Sequence, residues 1–257
     1  MTTFGMEFEV KGVSVQKAHQ VLNEGGINCE MPNRIHETNQ NWKSVYDGSV
    51  PNGAEVVSPI LSDNRLNEAV AVTKILKTAG AHIDTDTGFH VHLGANAINN
   101  SDSLAQLCRN WYGVHSAIGA LVAPSRLRNR YCTVLTRNSA ERLAECLNNS
   151  TEGIGDRSYD SINFGAINRH GTIEIRLHQG TLNGVKAIAW AKFVEAIFKA
   201  SNAMVDLTAI EGVTPWANTG VRDSLGCIAL IDSLVNAQCL NASTGDWLKN
   251  RARTLKG

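Results

Sequence analysis

The chain has 257 residues, 43% of them hydrophobic and 19% charged, with 24 Lys plus Arg balancing 24 Asp plus Glu. That length can bury a sizeable core as one large domain or two small ones, and the composition excludes a largely disordered chain. A formal net charge of zero argues against a basic nucleic-acid binder. No apolar run approaches the ~20 residues that span a bilayer, so no membrane partner is expected. The first residues, Met-Thr-Thr-Phe-Gly-Met-Glu, have neither a basic n-region nor an apolar h-region, and a cytoplasmic protein is expected. Six cysteines without a Cys-x-x-Cys pair argue against a thiolate zinc site and against a disulfide framework.

The first element is a strand over residues 4–11. Phe4, Met6, Phe8 and Val10 alternate there with Gly5, Glu7, Glu9 and Lys11, a period of two. Ser14 caps a helix running to residue 23, ended by Gly25 and Gly26. Residues 42–50 read as a strand with a turn at Asp47-Gly48, and residues 54–60 as a short strand whose Ser58-Pro59 step marks its end or an edge. Residues 64–78 carry helical periodicity, terminated by Gly80. A strand over 88–94 precedes a long helix over 103–122, closed by Pro124. A basic loop follows, Arg126-Leu127-Arg128-Asn129-Arg130-Tyr131, and then a helix over 139–148. A hairpin is expected from a strand over 158–167, a turn at 168–171 and a strand over 172–179. The remainder, from about residue 183, is mostly helical.

Strands and helices intermix, and the cleanly alternating strands imply one face packed on helices and one face open. The fold class expected is therefore α+β, a mostly antiparallel sheet with helices on one face. No linker marks a boundary, so one domain over 1–257 is expected.

The informative residues lie on the open strand faces. Glu7 and Glu9 point the same way from one strand, as do His90 and His92 from another and Glu174 and Arg176 from a third. Asp47 and Glu55 lie on or beside two further strands. If Glu7, Glu9, Asp47, Glu55 and Glu174 converged, five carboxylates would crowd together. Two unit charges at 4 Å repel by roughly 4 kcal/mol at an effective dielectric near 20. Such a cluster calls for protonation or bound cations. Carboxylate oxygens with one imidazole suit Mg²⁺ or Mn²⁺ rather than structural zinc. Two such cations accept phosphate oxygens, which is the arrangement for phosphoryl transfer. The sequence has no P-loop, no Gly-x-Gly-x-x-Gly fingerprint and no Gly-x-Ser-x-Gly elbow.

Taken in order, these pieces resemble the putative amidoligases, members of the carboxylate–amine ligase superfamily with glutamine synthetase and glutamate–cysteine ligase. The matching stretches are Phe4-Gly5-Met6-Glu7-Phe8-Glu9-Val10, Asp47-Gly48-Ser49, Glu55-Val56-Val57-Ser58-Pro59-Ile60-Leu61, Gly88-Phe89-His90-Val91-His92-Leu93-Gly94 and Gly171-Thr172-Ile173-Glu174-Ile175-Arg176-Leu177, followed by Gly180-Thr181-Leu182. The resemblance implies a curved antiparallel sheet with helices on its outer face, and ATP with two or three Mg²⁺ (or Mn²⁺) ions on its concave face. It implies that a substrate carboxylate attacks the γ-phosphate of ATP to give an acyl phosphate, from which an amine displaces phosphate. Glu7, His90 and Glu174 then resemble the ligands of the ion bridging the ATP phosphates. Glu9 and Glu55, with or without Asp47, resemble those of the ion nearer the acyl acceptor. Arg176 would stabilise the transferring phosphoryl group. His92 would contact nucleotide or phosphate, and Arg130 or Arg157 a phosphate or a substrate carboxylate. Asp47 and Glu55 are the candidates for the general base, although a metal-bound carboxylate is a poor one. The partners implied are a carboxylate and an amine substrate, with a peptide or protein preferred over a free amino acid.

Two other readings stay open at this level. A His-x-His pair with carboxylates also suits a metal-dependent hydrolase of an amide or phosphoester. A non-catalytic binding module would present the same charged sheet face as an interaction surface.

Overall fold

The computed structural model describes residues 2–31, 40–152, 154–217 and 220–255. They form an α+β structure whose seven strands belong to a mixed, open sheet. No helix among the described residues is long and apolar enough to cross a membrane. The chain divides into two compact units: Met1–Leu93 with His178–Trp190, and Gly94–Leu177 with Ala191–Gly257.

The first unit contains β1 (Phe4–Lys11), α1 (Val15–Glu24), β2 (Cys29–Glu30), β3 (Trp42–Val45), β4 (Gly53–Val57), α2 (Glu68–Thr78) and β5 (Gly88–Gly94, up to Leu93). Its strands lie in the order β2-β3-β4-β1-β5, antiparallel throughout except for the parallel pair β2–β3. Alternation along β1 separates the faces as its period of two predicts. Phe4, Met6, Phe8 and Val10 are all buried. Phe8 packs 4.7 Å from Phe89 and 6.3 Å from Trp42 between ring centroids. Helices cover this face. Ser44 Oγ donates to Val15 O of α1 at 3.0 Å, and Trp42 Nε1 donates to Glu68 Oε2 of α2 at 2.9 Å. Ser14 caps α1 by accepting from Lys17 N at 3.2 Å.

Two strands are shorter than their alternation predicts. β3 ends at Val45 and a turn follows, in which Asp47 Oδ1 accepts from Ser49 N at 2.7 Å and Val50 N bonds back to Asp47 O. β4 ends at Val57, where Ser58 Oγ accepts the β1 amide of Met6 at 2.9 Å; pairing resumes beyond Pro59, with Leu61 and Phe4 exchanging both backbone bonds. The Ser58-Pro59 step thus interrupts the pairing with β1 rather than ending it.

The second unit contains α3 (Ser101–Gly113), α4 (His115–Gly119), α5 (Arg137–Asn149), β6 (Ile162–Asn163), α6 (Ala166–His170), most of β7 (Thr172–Gln179), the later part of α7 (Gly184–Asn202), α8 (Ser224–Asn236) and α9 (Ala242–Thr254). The helix expected over 103–122 is broken at Val114. Gly113 O accepts from Trp216 N at 2.8 Å, and a Cβ on Gly113 would lie 2.3 Å from Thr208 Cγ2. A distant segment packed against that turn accompanies the break, which Gly113 signals only weakly in the sequence. The expected hairpin partner over 158–167 shrinks to the two-residue β6. A turn closed by Asp160 N to Arg157 O precedes it, and the short α6 follows, ended by Gly171 in the left-handed region at φ 65°. Of the cysteines, Cys29, Cys108, Cys132 and Cys227 are buried and Cys146 is exposed.

Candidate metal centre

β1 is flanked by β4 and β5, and the two registers bring the charged residues together. Glu9 stands opposite Glu55, Glu7 opposite His90, and Gly5 opposite His92. These side chains share the face away from Phe8, Trp42, α1 and α2. Directly opposed cross-strand residues have Cβ atoms about 4.5–5.5 Å apart, so their side-chain heads meet without any loop being involved.

His90 is the hub. Its Nδ1 lies 3.1 Å from Glu7 Oε2, and its Nε2 lies 3.5 Å from Glu9 Oε1. The His90 and Glu9 side chains are 4% and 6% exposed. His92 Nε2 lies 3.2 Å from Glu7 Oε1. Glu9 Oε2 also accepts the Gly88 amide at 2.5 Å. Burial works to raise the Glu7 pKa, yet the charges and hydrogen bonds of His92 and His90 hold it well below the usual carboxylate range. Glu7 is therefore an anion at neutral pH.

The backbone leaves room for this arrangement. A Cβ on Gly88 would lie 2.8 Å from His90 Nε2 and 3.3 Å from both Glu9 oxygens. A Cβ on Gly5 would lie 3.2 Å from His92 Cβ. Both glycines thus keep side-chain volume out of the cluster.

One ligand atom each from Glu9, Glu55 and His90 lies within 4.8 Å of the others. Oxygen ligands of Mg²⁺ sit at about 2.1 Å, which puts opposed donors about 4.2 Å apart. Small side-chain rotations would close this set on one ion. The donors are two carboxylates and an imidazole, a set that suits Mg²⁺ or Mn²⁺. A cation held between His90 Nε2 and Glu9 Oε1, now 3.5 Å apart, would attract both. The residues present therefore fit a divalent ion. Asp47 is not in this group, and its Oδ1 is occupied in closing the turn after β3.

In the second unit, Glu174 and Arg176 project from the same face of β7. Glu174 is buried, accepts from Asn163 Nδ2 at 2.7 Å and forms an ion pair with Arg176 Nη1. Arg176 Nε donates to Tyr131 O at 3.3 Å. Arg157 donates from Nε to Ile154 O at 3.0 Å and reaches Asp160 Oδ2 at 3.5 Å through Nη1. Arg130 donates to the Tyr131 hydroxyl at 2.7 Å, with its guanidinium 4.7 Å from that ring's centroid. Both arginines thus have local structural partners. Asn163 is a residue the sequence reading passed over. A carboxylate only accepts, so the bond to Glu174 fixes the amide orientation. Its one signal is its place two residues from Ser161 in the alternating stretch before β7. Lys43, also passed over, is buried on β3.

A family model described as "Putative amidoligase enzyme" matches residues 1–198, a stretch that contains every residue discussed in this section. No curated protein matches the chain.

Proposed function

This chain belongs to the putative amidoligase enzyme family, a family of ligases, and from that premise we propose that it joins a carboxylate to an amine at the expense of ATP. The observation that carries the reading is the register placing Glu9 against Glu55 and Glu7 against His90 on one face. A solvated strand face has no need of a buried histidine set between two carboxylates.

Glu9, Glu55 and His90 would hold a Mg²⁺ or Mn²⁺ ion, and the family resemblance adds Glu7 and Glu174 as ligands of an ion at the ATP phosphates. Bound cations would supply charge neutralisation and Lewis acidity toward phosphate oxygens. In the reaction we assign, an oxygen of the substrate carboxylate attacks the γ-phosphorus of ATP, and ADP leaves. The amine attacks the carbonyl carbon of the acyl phosphate, and phosphate leaves. Arg176, held by Glu174 and the Tyr131 carbonyl, neutralises charge on the phosphoryl group. Glu55 belongs to the ion-binding set, so Asp47, outside that set, is the better candidate to receive the amine proton. His92, Arg130 and Arg157 are assigned to nucleotide, phosphate or substrate carboxylate on the resemblance alone. A peptide or protein substrate and a cytoplasmic setting belong to the same proposal.

The test is a thermal-shift titration with Mg²⁺ and a non-hydrolysable ATP analogue, singly and together, on wild type and Glu174→Gln. A ligand at 100 times its dissociation constant adds about 2.7 kcal/mol, a readily measured rise in midpoint. A further rise with both ligands beyond that with metal alone, lost in the variant, supports the ligase. A rise with metal to which the nucleotide analogue adds nothing favours the hydrolase, and no rise with either leaves a charged surface.

A further inference from the structure

The segment after residue 198 lies beyond the stretch that the family model covers, and it brings two arginines to the end of α4, within the second unit. Arg222, just before α8, donates from Nε to Gly119 O at 3.3 Å and from Nη2 to Ala120 O at 3.0 Å. Arg251, on α9, donates from Nε to Leu121 O at 2.9 Å. Consecutive residues lie about 3.8 Å apart along a chain, so guanidiniums holding three successive carbonyls stand side by side. Burial, and then the charge of Arg222, push the Arg251 pKa below its usual value. A third arginine borders them. Arg128, from the basic loop, lies over Gly220, where a Cβ would come within 2.6 Å of its Nε and 3.3 Å of its Cζ. Its neighbour Leu127 packs on Gly119, where a Cβ would lie 2.9 Å from Leu127 Cδ2.

An arginine at a helix C-terminus ordinarily caps the last carbonyls and complements the helix dipole. One would serve α4, since a helix end carries only about half a negative charge. Here two whole charges meet, and no carboxylate offsets them. Among the described residues Arg65, Arg109, Arg157, Arg169 and Arg176 pair with acids, whereas Arg128, Arg222 and Arg251 do not. Asp223 follows Arg222 in the chain, yet its carboxylate accepts from the amides of Gly226 at 2.8 Å and Thr214 at 3.4 Å. The remaining N–H groups of Arg222 and Arg251 form no bond among the described residues, and none is sealed from solvent. Like charges held together with open donors are stabilised by an oxyanion, because guanidinium forks match phosphate and carboxylate oxygens.

We propose that Arg222 and Arg251, bordered by Arg128, form an anion site that takes an oxyanion group, the phosphate or carboxylate of a ligand. It is built from other residues than the carboxylate face, and it gives the segment after residue 198 a binding role. It requires neither metal nor ATP, so it stands or falls apart from the proposed ligase activity.

The test is calorimetry on the full chain, without metal or nucleotide, titrated with sodium phosphate and separately with sodium succinate. Sodium chloride at matched ionic strength is the control for screening. Wild type should bind one of the two oxyanions and not chloride, and the one it binds tells whether the ligand group is a phosphate or a carboxylate. Arg251→Gln and Arg222→Gln should each lose about tenfold or more of that affinity, the scale of one charge-assisted hydrogen bond. Arg176→Gln should keep it, which separates this site from any phosphate held at β7. If Arg222→Gln and Arg251→Gln do not fold, Arg128→Gln decides: Arg128 is exposed, so the variant should fold, and its affinity should fall by a smaller factor. Arginines that only cap α4 would give lower melting midpoints in Arg222→Gln and Arg251→Gln and no oxyanion binding in wild type, which would overturn the site. Affinity unchanged in all three of these variants, or lost only in Arg176→Gln, would overturn it as well.

Discussion

The two faces of the sheet around β1 obey opposite rules. On one face Phe4, Met6, Phe8 and Val10 are sealed under α1 and α2, and burial itself stabilises them. On the other, Glu9, His90 and Lys43 are nearly as well buried, and burial is a cost that only opposed charge can offset. The comparison teaches that exposure does not separate scaffold from site in this unit. The sign and partnership of the buried groups do.

The largest effect should come from the helix-covered face. Phe8→Ala removes a fully buried ring from between Phe89 and Trp42 and is expected to cost about 3–5 kcal/mol of stability by urea denaturation. Because it leaves the opposite face intact, folded Phe8→Ala should keep its Mn²⁺ affinity; loss of that affinity would break the separation between the faces.

A buried histidine outside the sheet sharpens the contrast. His115, on α4 in the second unit, is 3% exposed, and neither ring nitrogen has a hydrogen-bond partner among the described residues. Burial pushes its pKa down to about 4. Its folded pKa lies below the unfolded value, so the unfolded chain binds more protons between the two. Stability is complete above about pH 6.5 and falls as pH is lowered toward 4, by roughly 3 kcal/mol. Denaturation at pH 7 and pH 4.5 should show this loss in wild type and a flatter response in His115→Leu; identical pH dependence in both would contradict it.

Next in size is the charged face itself. Glu9→Gln should weaken Mn²⁺ binding by about 100-fold, the top of the 10–100-fold range typical of outer-shell changes, with little loss of metal-free stability because a buried negative charge is removed. Calorimetry beside a melting curve separates the two effects. The smallest expected change is Ser14→Ala, which deletes the cap of α1 and should cost about 1 kcal/mol. That variant loosens the cover of the apolar face and should leave ion binding alone.

The strands that build the site were legible in the sequence because period-two alternation of aromatic and acidic residues has few readings, and β1 and β5 form over the residues it predicted. The ligand set was legible only as residues sharing strand faces, since the pairing of Glu9 with Glu55 is a property of register and register is non-local. Lys43 escaped because a lone lysine between Trp42 and Ser44 looks like an ordinary solvated position, and nothing nearby announces its burial. The break at Val114 escaped for a related reason: Trp216, about a hundred positions along, takes the Gly113 carbonyl. β6 shrank because its alternation was real but the turn at 157–160 and α6 occupied most of it.

The central claim, that His90 and the β1 carboxylates form a divalent-cation centre, is tested most directly by pulsed electron paramagnetic resonance of bound Mn²⁺. The account predicts a nitrogen coupling from an imidazole ligand in the wild type that disappears in His90→Gln. Bound Mn²⁺ with no nitrogen coupling, or with the same coupling in both proteins, would contradict it.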